Sequence, residues 1–149
     1  MPSTVAERAA RLRELVDVRS GDHVMPIDAA IAAGFASAVG APRRVTAEGE
    51  VVAPPTLITR MVSADRPEWY ATMGREHLLH IAERQRFHRP LVVGRDLVWQ
   101  SAITGVRETR GSDGRRLWIV ASGYWFRDGA TGEPVAEVTR TRAVLDEAA

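Results

Sequence analysis

The chain has 149 residues, enough for one domain with its own core, and its 45% hydrophobic and 26% charged residues are typical of a globular protein. It contains no cysteine and no lysine, which excludes disulfides, cysteine-based zinc sites and Schiff-base chemistry from a lysine side chain. The net charge of +1 argues against a general nucleic-acid binder, and the absence of a membrane-length apolar run or signal-peptide core predicts a cytoplasmic protein with no membrane partner.

The first predicted element is a surface helix over residues 4–18. Thr4 and Glu7 have the spacing of a capping box, and Val5, Leu12 and Leu15 supply a broken apolar stripe. The break at residues 20–22 separates this helix from the rest of the chain. We therefore expect a helical extension over residues 1–20 and a main domain over residues 21–149.

The second predicted helix is rich in alanine. It comes after a short extended segment at residues 23–25, begins after the N-cap Asp28 and ends before Gly40. The helix is apolar on nearly every face, which is typical of a helix buried on several sides. We expect it to lie inside a curled sheet.

The segment from residue 51 to residue 73 is less regular. Pro54 and Pro55 favour an extended conformation, and a short helical piece is predicted to begin near Thr56. Residues 65–73 carry Pro67, Trp69 and Tyr70, which we expect to form a small aromatic flap.

Four strands are predicted in the last seventy residues, over residues 78–88, 96–108, 115–126 and 135–145, separated by turn signals that suit antiparallel neighbours. Simple alternation along the first strand defines two faces. One face carries Leu79, Ile81, Glu83, Gln85 and Phe87; the other carries His80, Ala82, Arg84, Arg86 and His88. Helices followed by an antiparallel sheet predict an α+β domain whose central helix covers the sheet.

Three stretches of the chain resemble the N-terminal MaoC-like dehydratase domain family. They are GFASAVG at 34–40, VVAPPTL at 51–57, and LLHIAERQRFHRPLVVGRDL at 78–97 followed by ITGVRETRG at 103–111. The resemblance implies a single hot-dog domain, a curved antiparallel sheet wrapped around a central helix. It also implies side-by-side pairing into a homodimer or heterodimer with a second hot-dog subunit, an acyl-CoA or acyl-carrier-protein thioester as ligand, and no cofactor.

The resemblance fails at the family's catalytic phrase. Active members continue from the helix into G-D-x-N-P-x-H, whose Asp and His act as the acid–base pair on the thioester. Here Gly40 is followed by Ala41 and Pro42, and no histidine follows nearby. The segment up to Val52 is also shorter than the family's.

Two residues of the first long strand are candidates to replace the missing acid–base pair. These catalytic candidates are His80 and Glu83, although strict alternation places them on opposite faces unless a bulge intervenes. A buried Glu83 with a raised pKa would act as a general base. The structural alternatives are a polar His80 lining a cleft or subunit interface and an exposed strand end at Glu83. A metal site built from Glu76, His77, His80 and Glu83 is not expected, because strand geometry separates the ligands.

The candidate substrate-binding residues are Pro55 and Thr56 of the APPT segment, Gln85 in the apolar row of the first strand, and Arg84 and Arg86. The two arginines belong to a basic cluster with Arg89 and Arg95. Such a cluster either binds the phosphates of coenzyme A or an acidic carrier protein, or is a solvated face with ion pairs.

These patterns are compatible with three functions. The first is a subunit of a 3-hydroxyacyl dehydratase or hydratase, a hydro-lyase of fatty acid or polyketide metabolism. The second is a non-catalytic acyl-binding partner subunit, which the missing Asp and His favour over an autonomous enzyme. The third is a repurposed hot-dog catalyst, such as a cyclase or thioesterase, that uses other residues around the same cleft.

Overall fold

The computed structural model describes residues 4–64, 66–73 and 78–145. The elements in chain order are α1 (Val5–Glu14), β1 (His23–Pro26), α2 (Ala29–Ala38), β2 (Arg44–Val45), β3 (Val51–Val52), α3 (Leu57–Ala64), a 3-10 helix (Glu68–Met73), β4 (Leu78–Phe87), β5 (Asp96–Arg110), β6 (Arg116–Asp128) and β7 (Pro134–Leu145). The predicted α+β class is confirmed. None of these helices is long and apolar enough to span a bilayer.

The N-terminal helix begins with the predicted capping box. The Thr4 hydroxyl accepts a hydrogen bond from the Glu7 amide at 3.2 Å, and the Glu7 carboxylate accepts one from the Thr4 amide at 2.7 Å. Val5, Ala9 and Leu12 are buried on one face, where α1 contacts the 3-10 helix and β5. The helix is therefore part of the main core, and the division at residue 20 stays a prediction.

The Ala-rich helix α2 forms where the sequence places it, but its predicted burial is wrong. The Asp28 carboxylate caps it by accepting from the Ile31 amide at 2.8 Å. Within Ala29–Ala38, Ala32 alone is buried, and Ile31 is 47% exposed. The place beneath the sheet is taken by α3, so α2 is left with an exposed apolar surface.

The central helix of the domain is α3, which the sequence predicts only as a short helical piece. Leu57, Ile58, Met61 and Val62 are buried in the core between α3 and the sheet. The period of this stripe is helical, and the Pro54–Pro55 pair ends the preceding strand so that the helix begins at once.

Five of the strands form one antiparallel sheet in the order β1-β5-β6-β7-β4. The four C-terminal strands agree with prediction, but β4 is not a neighbour of β5. It lies at the sheet edge beside β7, and residues 88–95 cross the domain instead of forming a hairpin. This crossing segment is held by backbone hydrogen bonds from Ala53 to Leu91 and from Gly94 to Ile27.

The aromatic segment before β4 is packed, so the predicted flap is wrong. It forms the 3-10 helix, in which Trp69 and Met73 are buried. The indole N–H of Trp69 donates to the Ser101 hydroxyl at 3.1 Å, deep in the sheet. A buried indole needs such a partner, which fixes this helix against β5.

Candidate functional site

A buried polar network joins α3 to strands β4 and β7, which are neighbours at one edge of the sheet. The Glu83 carboxylate accepts hydrogen bonds from the Thr59 hydroxyl at 2.6 Å, the Gln85 amide at 2.5 Å and the Arg140 Nε at 2.5 Å. Arg140 also donates to the Thr59 carbonyl at 2.9 Å and to the Ser63 hydroxyl at 3.1 Å. The Glu83 and Arg140 side chains are only 12% and 6% exposed, so this is a buried ion pair.

A bulge in β4 changes which residues share a face. The register against β7 shifts between His80 and Ala82, so Ile81 is an extra residue in the strand. His80 and Glu83 consequently line the same pocket, whereas Leu79 and Ile81 are about half exposed at 53% and 51%. The predicted assignment of residues to the two faces of this strand is therefore wrong for residues 79–81 and right from Ala82 onward.

The network does not suit Glu83 for proton abstraction. Burial by itself raises the pKa of the Glu83 carboxyl, but hydrogen bonds from Thr59, Gln85 and Arg140 outweigh burial and hold this pKa below its usual range. Neither alternative for Glu83 is found, because its pKa is lowered rather than raised and its side chain is buried rather than exposed at a strand end. No hydrogen bond joins Glu83 to His80 in the part of the chain that the structure describes, and the catalytic roles of both residues stay predictions.

The pocket beside this network, here called the arginine pocket, has a volume of about 450 Å³. Its lining comprises Thr59, Val62, Ser63, Arg66, Tyr70, Leu78, His80, Glu83, Arg140 and Arg142. The sequence reasoning missed Arg140 and Arg142. The sequence of β7 contains a signal for them. Arg140 and Arg142 stand at two-residue spacing between Val138 and Val144, so all four side chains lie on one buried face of the strand.

A second cavity of about 630 Å³, here called the Ala41 groove, lies between the α2–β2 loop, the start of α3 and the end of β4. The predicted residues Pro55 and Thr56 both line it, and so does Ala41. Its charged or titratable side chains are Arg44, His88 and Arg89, and no carboxylate of the described residues lines it. The lining of the groove is mainly apolar, and its described residues offer no Asp–His pair.

The remaining predicted site residues lie in different parts of the structure. Gln85 joins the buried network, where its amide donates to Glu83 and Thr59. Arg84 and Arg86 point to the exposed side of β4. Arg89 pairs with Glu133 at 2.5 Å, and Arg95 pairs with Glu50 at 2.8 Å and with Asp128 at 3.2 Å. The basic cluster is therefore split between exposed arginines on β4 and ion pairs elsewhere.

The described histidines make unrelated contacts. His23 stacks on Trp99 with ring centres 4.3 Å apart, and the His88 Nε2 lies 3.1 Å from the Glu137 carboxylate. Glu76 and His77, which the metal alternative requires, lie outside the described residues. Among the residues that the structure does describe, no group of three or more acidic or histidine side chains is placed to hold a metal ion.

With this geometry in place, comparison with known proteins identifies the family. The family model for the FAS1-like dehydratase domain region matches residues 15–138, which is most of the chain. The chain belongs to this family. No curated protein sequence matches it.

Solved structures confirm the fold of this dehydratase-family chain. The ChsH1–ChsH2 complex from Mycobacterium tuberculosis is similar over 97% of this chain and 93% of its own, with 16% identity and a TM-score of 0.72. The HadBC (3R-hydroxyacyl-ACP dehydratase) complex from the same organism is similar over 87% and 98%, with 20% identity and a TM-score of 0.67. A MaoC-like dehydratase has 23% identity and a TM-score of 0.70 over 91% of this chain and 44% of its own.

These similarities confirm the predicted MaoC-like hot-dog domain. In this chain the helix buried against the sheet is α3 and not α2. The identities are low, so they establish the fold of the family member and leave its site to be argued from its own residues. Those residues give a hot-dog dehydratase fold with an alanine at the position of the expected aspartate.

Proposed function

We propose that this chain is the non-catalytic, acyl-binding subunit of a 3-hydroxyacyl-thioester dehydratase or hydratase in fatty acid or polyketide metabolism. The observation that carries the proposal is the Ala41 groove, which keeps the family's APPT wall but has no carboxylate among its described lining residues. General acid–base removal of water needs a base and an acid at the thioester. The partner subunit would supply both.

The Ala41 groove suits an acyl thioester in shape and polarity. Val39, Pro54, Phe87 and Leu91 give it apolar walls that would cover an acyl chain. Arg44 lies at the same cavity and would attract the phosphates of coenzyme A or of a carrier protein's phosphopantetheine arm, whereas Arg89 there is already paired with Glu133. Arg84 and Arg86, exposed on β4, would extend this positive surface toward the carrier.

Two exposed features favour a second hot-dog subunit as partner. Ile31 in helix α2 and the C-cap residue Val39 are about half exposed, at 47% and 53%, although the composition of α2 is that of a buried helix. Within the described residues, strand β4 pairs with β7 on one side only, so its other side presents unpaired backbone groups. A partner that covers α2 and continues the sheet at β4 would bury both, and the ChsH1–ChsH2 and HadBC structures are themselves complexes.

The test compares the chain alone with the chain bound to a hot-dog partner that carries the intact Asp/His phrase. The probes are crotonyl-CoA and crotonyl-carrier protein, and hydration is followed by loss of the enoyl absorbance. We expect the chain alone to bind a probe without turnover, and the heterodimer to hydrate it. The carrier and coenzyme A arms identify which thioester is preferred.

Two results would overturn the proposal. Turnover by the purified chain as a homodimer would show that it has its own acid–base groups, and failure to bind either probe alone or in the complex would remove the acyl-binding role. Substitution of Ala41 by Asp in the heterodimer is a useful control, because it should leave the partner's turnover within about twofold if the chemistry belongs to the partner.

A further inference from the structure

The arginine pocket has an excess of positive charge that the proposed function does not use. Three of its lining residues are arginines, Arg66, Arg140 and Arg142, while Glu83 is the single acidic residue among the described residues that line it. No described residue lines both this pocket and the Ala41 groove. Any ligand of the arginine pocket would therefore bind separately from the acyl chain.

Among the described residues, a carboxylate neutralises the charge of Arg140, but none is paired with Arg142. Glu83 forms the ion pair with Arg140 at 2.5 Å and accepts from two further donors. Arg142 is only 6% exposed, and its Nη1 lies 3.5 Å from the Ser122 hydroxyl. Among the described residues, no carboxylate forms an ion pair with it.

Apart from Glu83, which is already paired with Arg140, the described residues around Arg142 are cationic or neutral. Tyr70 lies with its ring centre 5.2 Å from the Arg142 guanidinium and 4.9 Å from that of Arg66, so two cations share one ring. His80 is the cross-strand partner of Arg142 in β4. A ring quadrupole and one long hydrogen bond do not replace a counter-ion for a buried guanidinium.

We propose that the arginine pocket binds an oxyanion, either the carboxylate of a small organic acid or a phosphate group, held by Arg142 and Arg66 above the Tyr70 ring. A guanidinium presents parallel N–H donors that match either group. Val62 and Leu78 in the lining would contact a short apolar body attached to the anion. This ligand would supply the counter-ion of the Arg142 guanidinium, whose burial without one is energetically unfavourable.

The test measures the thermal unfolding midpoint of the whole chain while sodium phosphate or sodium hexanoate is titrated at fixed pH, with chloride keeping the ionic strength constant. We expect a saturable rise with at least one anion, and a dissociation constant at least about tenfold weaker in Arg142→Met. Arg115→Met is the matched control, because Arg115 lies in the β5–β6 turn with its side chain 48% exposed. The two anions distinguish a phosphate ligand from a carboxylate ligand.

An equal saturable rise in wild type and Arg142→Met would overturn the proposal, as would the absence of a saturable rise with either anion. If Arg142→Met does not fold, Arg142→Lys serves instead: it keeps the charge but loses the planar fork, so binding should weaken severalfold, and unchanged affinity would contradict the assigned role.

A second readout needs no ligand. In chloride buffer Arg142→Met should unfold at or above the wild-type midpoint, whereas a purely structural arginine would lower it when removed. A clearly lower midpoint, with no change in anion affinity, would contradict the proposal. Because no acyl thioester is present in these measurements, their failure leaves the acyl-binding proposal untouched.

Discussion

The arginine pocket borders the later turns of α3 and the Ala41 groove borders its start, yet the two are built in opposite ways. The pocket is lined by three arginines, a histidine and a glutamate, and several of its polar groups bond to one another. The groove is lined mainly by proline, valine, alanine, leucine and phenylalanine, with no carboxylate among the described residues. Titratable groups are therefore concentrated where they hold the fold together, and are sparse where the family's chemistry is expected.

In the arginine pocket, the ionisable residues form contacts between α3 and the sheet. Glu83 has its carboxylate oxygens occupied by Thr59, Gln85 and Arg140, and its lowered pKa means that it stays ionised in this position. A group in that state fixes α3 to β4 and β7. The Ala41 groove, in contrast, has mainly apolar side chains and no comparable network of paired charges among its described residues.

The largest expected effect comes from breaking the buried ion pair. Glu83→Gln leaves the Arg140 guanidinium, 6% exposed, without its counter-charge, and such losses destabilise proteins by about 3–5 kcal/mol. Chemical denaturation measures the change in free energy of unfolding. Glu137→Gln is the matched control, because Glu137 lies on the outer side of β7 with its side chain 44% exposed and should lose less than about 1 kcal/mol.

A double variant separates the ion pair from the rest of the network. Glu83→Leu with Arg140→Met removes both charges and should recover most of the stability lost in Glu83→Gln. If Glu83→Gln proves as stable as wild type, the carboxylate is not a structural anchor, and the contrast between pocket and groove fails.

The second effect is on ligand binding at the groove. Thr56 is exposed at the groove wall, and Thr56→Trp would fill the space that an acyl chain needs. We expect crotonyl-CoA to bind at least about tenfold more weakly, a change of about 1.4 kcal/mol, in a titration with the heterodimer. Ser112→Trp, at an exposed position in the β5–β6 turn away from the groove, should bind normally. Equal affinities in the two variants would place the acyl chain elsewhere.

The third effect is the pH dependence that Glu83 gives to stability. Its pKa is lower in the folded chain than in the unfolded chain, so the stabilisation is present above the unfolded value of about 4.3 and is lost as the pH falls through the folded value. The stability difference between wild type and Glu83→Gln should therefore shrink from about pH 7 to about pH 3. A difference that grows on acidification would contradict the lowered pKa.

The smallest effect is expected at the surface of β4. Arg84→Glu with Arg86→Glu reverses two exposed charges and should weaken binding of a carrier protein or coenzyme A by a few fold, more at low salt than at high salt. Arg115→Glu, in the β5–β6 turn, tests whether net charge alone is responsible. Unchanged affinity for both ligands would show that this surface does not contribute to binding.

Much of the local structure was predictable because it depends on neighbours in the chain. The Thr4–Glu7 capping box, the Asp28 cap and the four C-terminal strands all depend on short-range spacing, and the structure confirms them. The resemblance of the GFASAVG and APPT segments correctly indicated the family, which the match over residues 15–138 confirms. The absence of the Asp/His phrase was also readable directly, because Ala41 follows Gly40.

Long-range packing determines which helix is central and which strand residues contact each other. Hydrophobic composition marked α2 as buried, but only packing could show that α3 takes the place beneath the sheet. One inserted residue, Ile81, turns His80 toward the pocket that Glu83 lines, and alternation along a strand cannot reveal a bulge that depends on the partner strand.

Local sequence patterns also could not predict which buried charges are paired. Arg140 lies 57 residues beyond Glu83 in the chain, and Arg142 reaches the Tyr70 ring from another strand, so these contacts exist only in the folded chain. Short-range patterns predicted most helices and strands and the absence of the Asp/His phrase. The fold determined which charges are balanced, because burial and pairing depend on contacts between distant residues.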